Sequence, residues 1–394
     1  MISSSNKKIA YVTGATGFLG THIVEQLIKK DYIVYALYRS NEKAERLKKN
    51  IEGDGYSCDQ LHMVKGDITD LESLINTIPH DPQVDILFHT AALVFSEQAG
   101  PAAITRQNNT NLGGTSNILQ AAIQRGVKRL VYTSSISTFI GAAGTPGDVV
   151  ISESTPQIMS NHNWNYVNCK YQAEQLIRNC NCPTLETVVL CPPYIIGRFD
   201  ESNISLSIKM VEAGTLNKAP NRNAVFIDVE ECARVHVVAG ETSPNGSIYV
   251  LGGAESNWKN FMVVCNRVFG KDNPENIRTI SNFEFNFSMS MLRFYARVTG
   301  RKPDLFVVAE GVIESFKVDD TKAVNELGFN NKIPLEQMVQ NCITWMKNNH
   351  YYQQFLKIKL ISNPSGVKRF LHTFSATTFR KQDCVIHFRI HISE

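Results

Sequence analysis

The segment YVNCK puts Tyr166 four residues ahead of Lys170. On an α-helix, positions i and i+4 share a face, so this spacing can hold a phenol and an ammonium together. A neighbouring cation favours the phenolate and makes the phenol a usable acid–base group near neutral pH. Tyr and Lys also fall at this spacing by chance, as a solvated helix edge, and what lifts this pair above chance lies upstream. Thirty-one residues before Tyr166, the run YTSSIST ends a strand-like stretch with Ser134 and Ser135. Near the start, TGATGFLG spaces Gly14, Gly17 and Gly20 as G-x-x-G-x-x-G, directly after the apolar KIAYVT. Glycine there permits a tight turn at Gly14, close backbone approach to a pyrophosphate at Gly17, and close helix–sheet packing at Gly20. The helix that follows turns its partial positive charge toward the anion.

The elements that must position these groups follow from the hydrophobic pattern. Strand-like runs at 8–13, 32–38, 61–67, 84–92, 128–135 and 186–191 alternate with helical stretches at 18–30, 41–52, 103–126 and around Tyr166. Near-continuous Val/Ile/Leu strands between helices predict a parallel sheet covered on both faces, the doubly wound α/β fold of Rossmann type. Ligands of such folds bind outside the carboxyl ends of the strands, where Ser134, Ser135 and the glycine turn all belong. Beyond residue 192 the rhythm changes. Residues 192–203 read as a turn-rich loop, 224–240 as strand then helix, 247–253 as a short strand and 334–349 as a closing amphipathic helix. Residues 282–300 are dense in Phe and Met, a composition more often met in a core; 282–299 are also a candidate wall or lid of a substrate pocket. The expected organisation is a dinucleotide-binding domain at 7–190, a smaller substrate-binding region at 191–349 interleaved with the sheet, and a tail at 350–394.

Bulk properties exclude several classes. The net charge is +3, with +5 of it in residues 351–394, so the body carries no basic footprint for nucleic acid. Nine cysteines lie scattered, without C-x-x-C pairs, as expected of reduced thiols in a cytoplasmic protein. Cys180 and Cys182 lack a second half for a metal site. No apolar run approaches a membrane span and the first residues are not a signal peptide. The basic, apolar tail reads as strands, a membrane-surface segment or an unstructured extension.

Where an NAD site would present an acid at the end of the second strand, ALYRSNEK places Arg39, which suits a 2′-phosphate. NADP(H) is therefore favoured over NAD(H), with Ser40 and Lys43 as helpers. Asp67, in KGDITD, is placed for the adenine edge.

Taken in order, TGATGFLG, GDITD, HTAA, TNLGGT, YTSS, YVNCK and CPPYIIG resemble the extended short-chain dehydrogenases/reductases of the epimerase/dehydratase superfamily. The pieces ARVTGRKPDLFVV and FKVDDTKAVNELGF resemble the dihydroflavonol-reductase-like branch, with hydroxysteroid dehydrogenases as relatives. The resemblance covers about residues 7–349 and is specific for cofactor and chemistry, not for substrate. It implies Tyr166 as general acid or base, Lys170 on the nicotinamide ribose and Ser135 on the substrate oxygen. It further implies cofactor contacts at Thr16, Phe18, Leu19, Ile68, Ala91, Ala92 and Pro193. Asn111 takes a structural or water-positioning role; Pro192 and Pro193 form the turn beside the nicotinamide or simply end a strand. Ile136 and Ser137 stand where sugar dehydratases carry an acidic pair, which disfavours dehydration. N-W-N-Y departs from the plant reductases' N-W-Y-x-Y, so no flavonoid or lignin substrate is implied. Three readings stand: a carbonyl reductase, a nucleotide-sugar epimerase with tightly held NAD, and a dinucleotide sensor without chemistry. The family also implies pairing of two copies through helices beside the active-site strand.

Overall fold

The structure is a computed structural model. It describes residues 7–349 except 95–98, 141–148, 158, 160–164, 181, 202–203, 313–314 and 331. The expected tail at 350–394 lies outside the described residues. A compact unit ends at Trp345, and a second unit, Met346–Glu394, is described only over 346–349.

The first half runs β1 (Ile9–Thr13), α1 (Phe18–Lys29), β2 (Ile33–Tyr38), α2 (Asn41–Gly53), β3 (Leu61–Lys65), α3 (Leu71–Thr77), β4 (Ile86–His89) and α4 (Pro101–Asn108). A π-helical turn (Asn109–Gly113) leads into α5 (Gly114–Gln124), β5 (Arg129–Thr133), α6 (Ser137–Ile140), β6 (Val149–Ile151), α7 (Asn165–Arg178) and β7 (Glu186–Cys191). The remainder is β8 (Tyr194–Ile196), α8 (Ile204–Glu212), β9 (Lys218–Pro220), β10 (Asn223–Asp228), α9 (Val229–Thr242), β11 (Ser247–Val250), β12 (Ala254–Asn257) and α10 (Trp258–Val268). It closes with β13 (Arg278–Ile280), α11 (Asn282–Thr299), α12 (Asp304–Gly311), β14 (Phe316–Val318), α13 (Thr321–Leu327) and α14 (Leu335–Asn348).

Seven strands form one parallel sheet in the order β11-β7-β5-β4-β1-β2-β3. Alternate residues of each strand feed two cores. Val12, Val34, Phe88 and Val131 face one, with α1 and α9; Tyr11, Leu87, Leu130 and Tyr132 face the other, with residues of α5 and α7. This two-sided burial is why the strands read as unbroken apolar runs. Strand order reverses between β1 and β4, so the crevice opens at the carboxyl ends of those two strands. β11 and α9, both from beyond residue 190, complete this sheet and its cover.

Two expectations need correction. The 192–203 segment is not all loop: buried Ile196 and its neighbours form β8, which pairs in parallel with β10 in a separate three-stranded sheet. The 282–300 stretch is not core. Only Phe285, Met289 and Ala296 of α11 are buried, while Phe283, Phe287, Phe294 and Val298 are more than half exposed. Phe287 and Phe294 therefore turn to solvent rather than wall a cavity.

Candidate active site

The glycine turn connects β1 to α1 across the switch point. Gly14 has φ +70°, and a Cβ there would lie 2.7–2.9 Å from Thr90 and Ala91 after β4. A Cβ on Gly20 would come within 2.0 Å of the Gly14 carbonyl oxygen, so any side chain would push α1 off the turn. The Gly17 N–H donates to the Gly14 carbonyl at 2.8 Å. The donors facing an anion are therefore the first-turn amides of Phe18, Leu19 and Gly20, which have no acceptor within their own helix. A concavity of this shape, with backbone donors at its floor, fits a dinucleotide pyrophosphate. On its other side Thr16, Gly17 and Phe18 line a pocket of about 100 Å³ with Lys43 and Arg46 of α2.

At the far end of α2's approach, the Arg39 side chain is 68 % exposed and lies 3.5 Å from the Asp67 carboxylate. Asp67 also accepts from the Thr69 N–H and hydroxyl, both at 2.9 Å. Burial pushes the Asp67 pKa up, but Thr69 and Arg39 outweigh it and leave the group below the usual range. Ser40 caps α2 by accepting from the Lys43 N–H at 3.5 Å, so Arg39, Ser40 and Lys43 converge on a helix N-terminus. Ile68 is buried and packs where a Cβ on Gly114 would clash. Ala91 donates its N–H to Thr13 Oγ1 at 3.4 Å, and Ala91 and Ala92 follow β4 along the crevice.

The other end of the crevice is closed. The Ser134 N–H donates to the Leu190 carbonyl at 2.7 Å and the Ile136 N–H to the Pro192 carbonyl at 3.0 Å, which zips the ends of β5 and β7 together. Ser135 sits between these bonds, with the buried Pro193 next to Pro192 across from it. Ser137 donates to Ser135 Oγ from both its N–H (3.2 Å) and its hydroxyl (2.9 Å). With both acceptor positions filled, the Ser135 proton is directed outward, and Ser135 is hydrogen-bonded to the Tyr166 phenol. Tyr166 is 7 % exposed; burial raises its pKa, the Ser135 bond opposes that, and Cys169 adds a small push upward.

Lys170 occupies the same face of α7 one turn on and is buried. Its ammonium donates to the Thr133 carbonyl at 2.7 Å and to the Tyr132 hydroxyl at 3.4 Å, and stands 4.8 Å from the Tyr132 ring centroid. Burial depresses its pKa to about 8, against the opposing charges of Cys191, Glu174 and Cys169. Behind it, fully buried Glu174 accepts from Ser134 Oγ at 2.6 Å and from Gln157 Nε2 at 2.8 Å. Glu174 was not singled out from sequence; its position eight residues after Tyr166, on the same helical face, was the available signal.

Asn111 sits in the π-helical turn. Its Oδ1 accepts from the Leu93 N–H at 2.7 Å and its Nδ2 donates to the Leu93 carbonyl at 3.0 Å. It thereby clamps the segment after β4 that borders the crevice, through backbone bonds rather than through Tyr166. The π turn itself, unmarked in a sequence read as one continuous helix, is what aims this amide. His89 is buried between Thr13 (2.7 Å) and Thr115 (2.9 Å), and burial, aided by the Lys170 charge, lowers its pKa to about 3. It joins β1, β4 and α5 as a neutral strut.

A parallel sheet with its glycine turn, and a Ser–Tyr–Lys set at the same crevice with Tyr166 and Lys170 buried, define an NAD(P)-dependent oxidoreductase of the extended short-chain dehydrogenase/reductase type. The chain belongs to the NAD dependent epimerase/dehydratase family, which matches residues 10–252. It is 25 % identical to a 3-beta-hydroxysteroid dehydrogenase of Mycolicibacterium neoaurum, over 85 % of this chain and 90 % of that one. It is 27 % identical to vestitone reductase of Medicago sativa, over 60 % of this chain and 74 % of the other. Among solved structures, UDP-glucose 4-epimerase from Bifidobacterium longum, in complex with NAD+ and UDP, superposes with a TM-score of 0.66 at 21 % identity. That alignment covers 87 % of this chain and 99 % of the epimerase, and shows the shared fold.

Proposed function

We propose that the protein is an NADP(H)-dependent reductase that interconverts a carbonyl and a secondary alcohol on a small, fairly apolar molecule. The observation that carries this reading is the hydrogen bond from Ser135 to Tyr166 beside the buried Lys170 ammonium. A nicotinamide held in the crevice would supply the hydride for the carbonyl carbon. Tyr166 gives its phenolic proton to the carbonyl oxygen, so that the carbonyl becomes an alcohol and the phenolate remains until solvent reprotonates it. Ser135 donates to the same oxygen and steadies its developing negative charge. Burial keeps the phenol protonated beforehand, which suits an acid in the reductive direction; the expected lowering by Lys170 is absent from the resting phenol, whose neighbours of influence are Ser135 and Cys169. Lys170, held on Thr133 and Tyr132, would support the phenolate only once it forms. Lys170 would also hold the nicotinamide ribose, and Arg39, with Ser40 and Lys43 at the α2 N-terminus, would select a 2′-phosphate. Pairing of two copies would involve helices beside β5, where Ile104 of α4 and Leu176 of α7 are exposed.

The test is turnover of a carbonyl panel with NADPH by wild type and Tyr166→Phe, together with the nucleotide content of the purified protein. Turnover with exchangeable NADPH, lost in the variant, supports the reductase. Retained NAD with interconversion of sugar epimers would replace it by the epimerase, and activity in neither form would point to a sensor.

A further inference from the structure

α11 is an 18-residue helix, about 27 Å long, that presents an apolar stripe to solvent, interrupted near its middle by the exposed Ser290. Phe283, Phe287, Phe294 and Val298 are spaced four, seven and four residues apart, which keeps them on one face, at 81, 57, 63 and 69 % exposure. Four large side chains in one exposed row are unlike the scattered apolar residues of an ordinary surface.

The charges beside this stripe are of one sign. Arg293 and Arg297 precede Phe294 and Val298 by one residue each, and Arg301 follows the helix; all three are exposed. The one acid on α11, Glu284, is neutralised by Arg278 at 2.9 Å. The helix is held down from beneath. The Arg222 guanidinium lies 4.6 Å from the Phe285 ring and Arg222 Nε donates to Asn282 at 3.4 Å. At the other end Gly300 (φ 68°) accepts from the Ala99 N–H at 3.0 Å. The helix thus buries Phe285, Met289 and Ala296, and among the described residues nothing covers its outer face.

We infer that this face is a docking surface for an anionic lipid bilayer. The apolar stripe enters the acyl boundary, and the arginines at its border meet the headgroup phosphates and carboxylates. A helix with apolar residues on one side, arginines along the flank and its sole acid already paired is complementary to a negatively charged, apolar-cored surface. Docking through this helix would bring the proposed reductase to a source of apolar molecules.

The test uses the full chain and flotation with vesicles of phosphatidylcholine alone or mixed with phosphatidylserine. Expected is binding to the mixed vesicles that weakens with salt. Phe287→Ser/Phe294→Ser should lower the partition constant about tenfold or more. Arg293→Glu/Arg297→Glu should abolish the preference for phosphatidylserine. NADPH binding, measured by nucleotide fluorescence, should be unchanged in both variants and report that they fold. The proposal is overturned if wild type does not float, or if the Phe variant floats equally well, which would assign binding to another part of the chain. It is equally overturned if sedimentation shows a wild-type dimer that the Phe variant dissolves, making the stripe a contact between copies. None of these readouts depends on substrate turnover, so the proposed reductase activity stands or falls separately.

Discussion

The two ends of the crevice are built on opposite principles. At the β5–α7 end, Tyr166 and Lys170 are buried, and among the described residues Ser135, Ser137, Thr133, Tyr132, Ser134 and Glu174 form a hydrogen-bonded set around them. At the β2–α2 end, Arg39 and Asp67 form a loose pair at 3.5 Å with side chains 68 and 38 % exposed. In the dry environment a charge interacts strongly and is expensive to leave alone; at the wet end solvent and salt screen the same interactions. Chemistry should therefore be rigidly encoded at one end, and cofactor preference weakly and reversibly encoded at the other.

The largest effect expected from this contrast is at Tyr166. Tyr166→Phe removes the proton donor with little change of shape, and kcat should fall about 10²- to 10⁴-fold while NADPH binding stays nearly constant. Comparable falls in kcat from substitutions at the wet end would dissolve the distinction.

Lys170 sharpens it through stability. Its folded pKa of about 8 lies below the 10.5 of a free lysine, so below pH 8 the fold carries the full cost of a buried ammonium. Between pH 8 and 10.5 the unfolded chain binds more protons than the folded one, and stability rises with pH until the cost is gone. Relative to Lys170→Met, wild type should gain about 3 kcal/mol between pH 7 and 10.5, read from chemical denaturation at each pH. A constant difference between the two proteins across that range would mean that Lys170 is not desolvated.

Most of this arrangement was legible in the chain, for physical reasons that also explain the gaps. Strands buried on both faces have no choice but to be apolar, so KIAYVT, YIVYALY and KRLVYTSS announced the sheet. Gly14 and Gly20 sit where a Cβ would strike backbone, so the turn announced itself too. The π-helical turn at Asn111 left no mark, because one extra residue in a helix changes neither composition nor period enough to see. Glu174 was passed over because a single acid on a helix usually faces water, and only the tertiary fold brings Ser134 and Gln157 to it. α11 misled in the opposite sense: Phe and Met signal burial only when another element covers them, and here only one side is covered.

Glu174 gives the next effect in size. Glu174→Leu leaves the Ser134 hydroxyl without its acceptor, leaves the Gln157 amide with Thr138 Oγ1 alone, and removes a negative charge that supports protonated Lys170. The expected cost is about 2–3 kcal/mol in denaturant unfolding, with the Lys170 pKa falling further below its ordinary value. An unchanged denaturation midpoint would show that the closed end is less tightly bound together than its hydrogen bonds imply.

The smallest effect belongs to Arg39. Because its pair with Asp67 is exposed, releasing the guanidinium to a phosphate forfeits no more than about 1 kcal/mol. Arg39→Ala should raise KM for NADPH about tenfold, leave KM for NADH nearly as it was and spare kcat with either. The NADPH penalty should also shrink as ionic strength rises toward a Debye length of about 8 Å, since both partners stand in water. A penalty of equal size for both nucleotides would place Arg39 on a part of the cofactor that they share. A penalty that ignores salt would place it in an enclosed pocket, and the contrast between the two ends of the crevice would then fail at its open end.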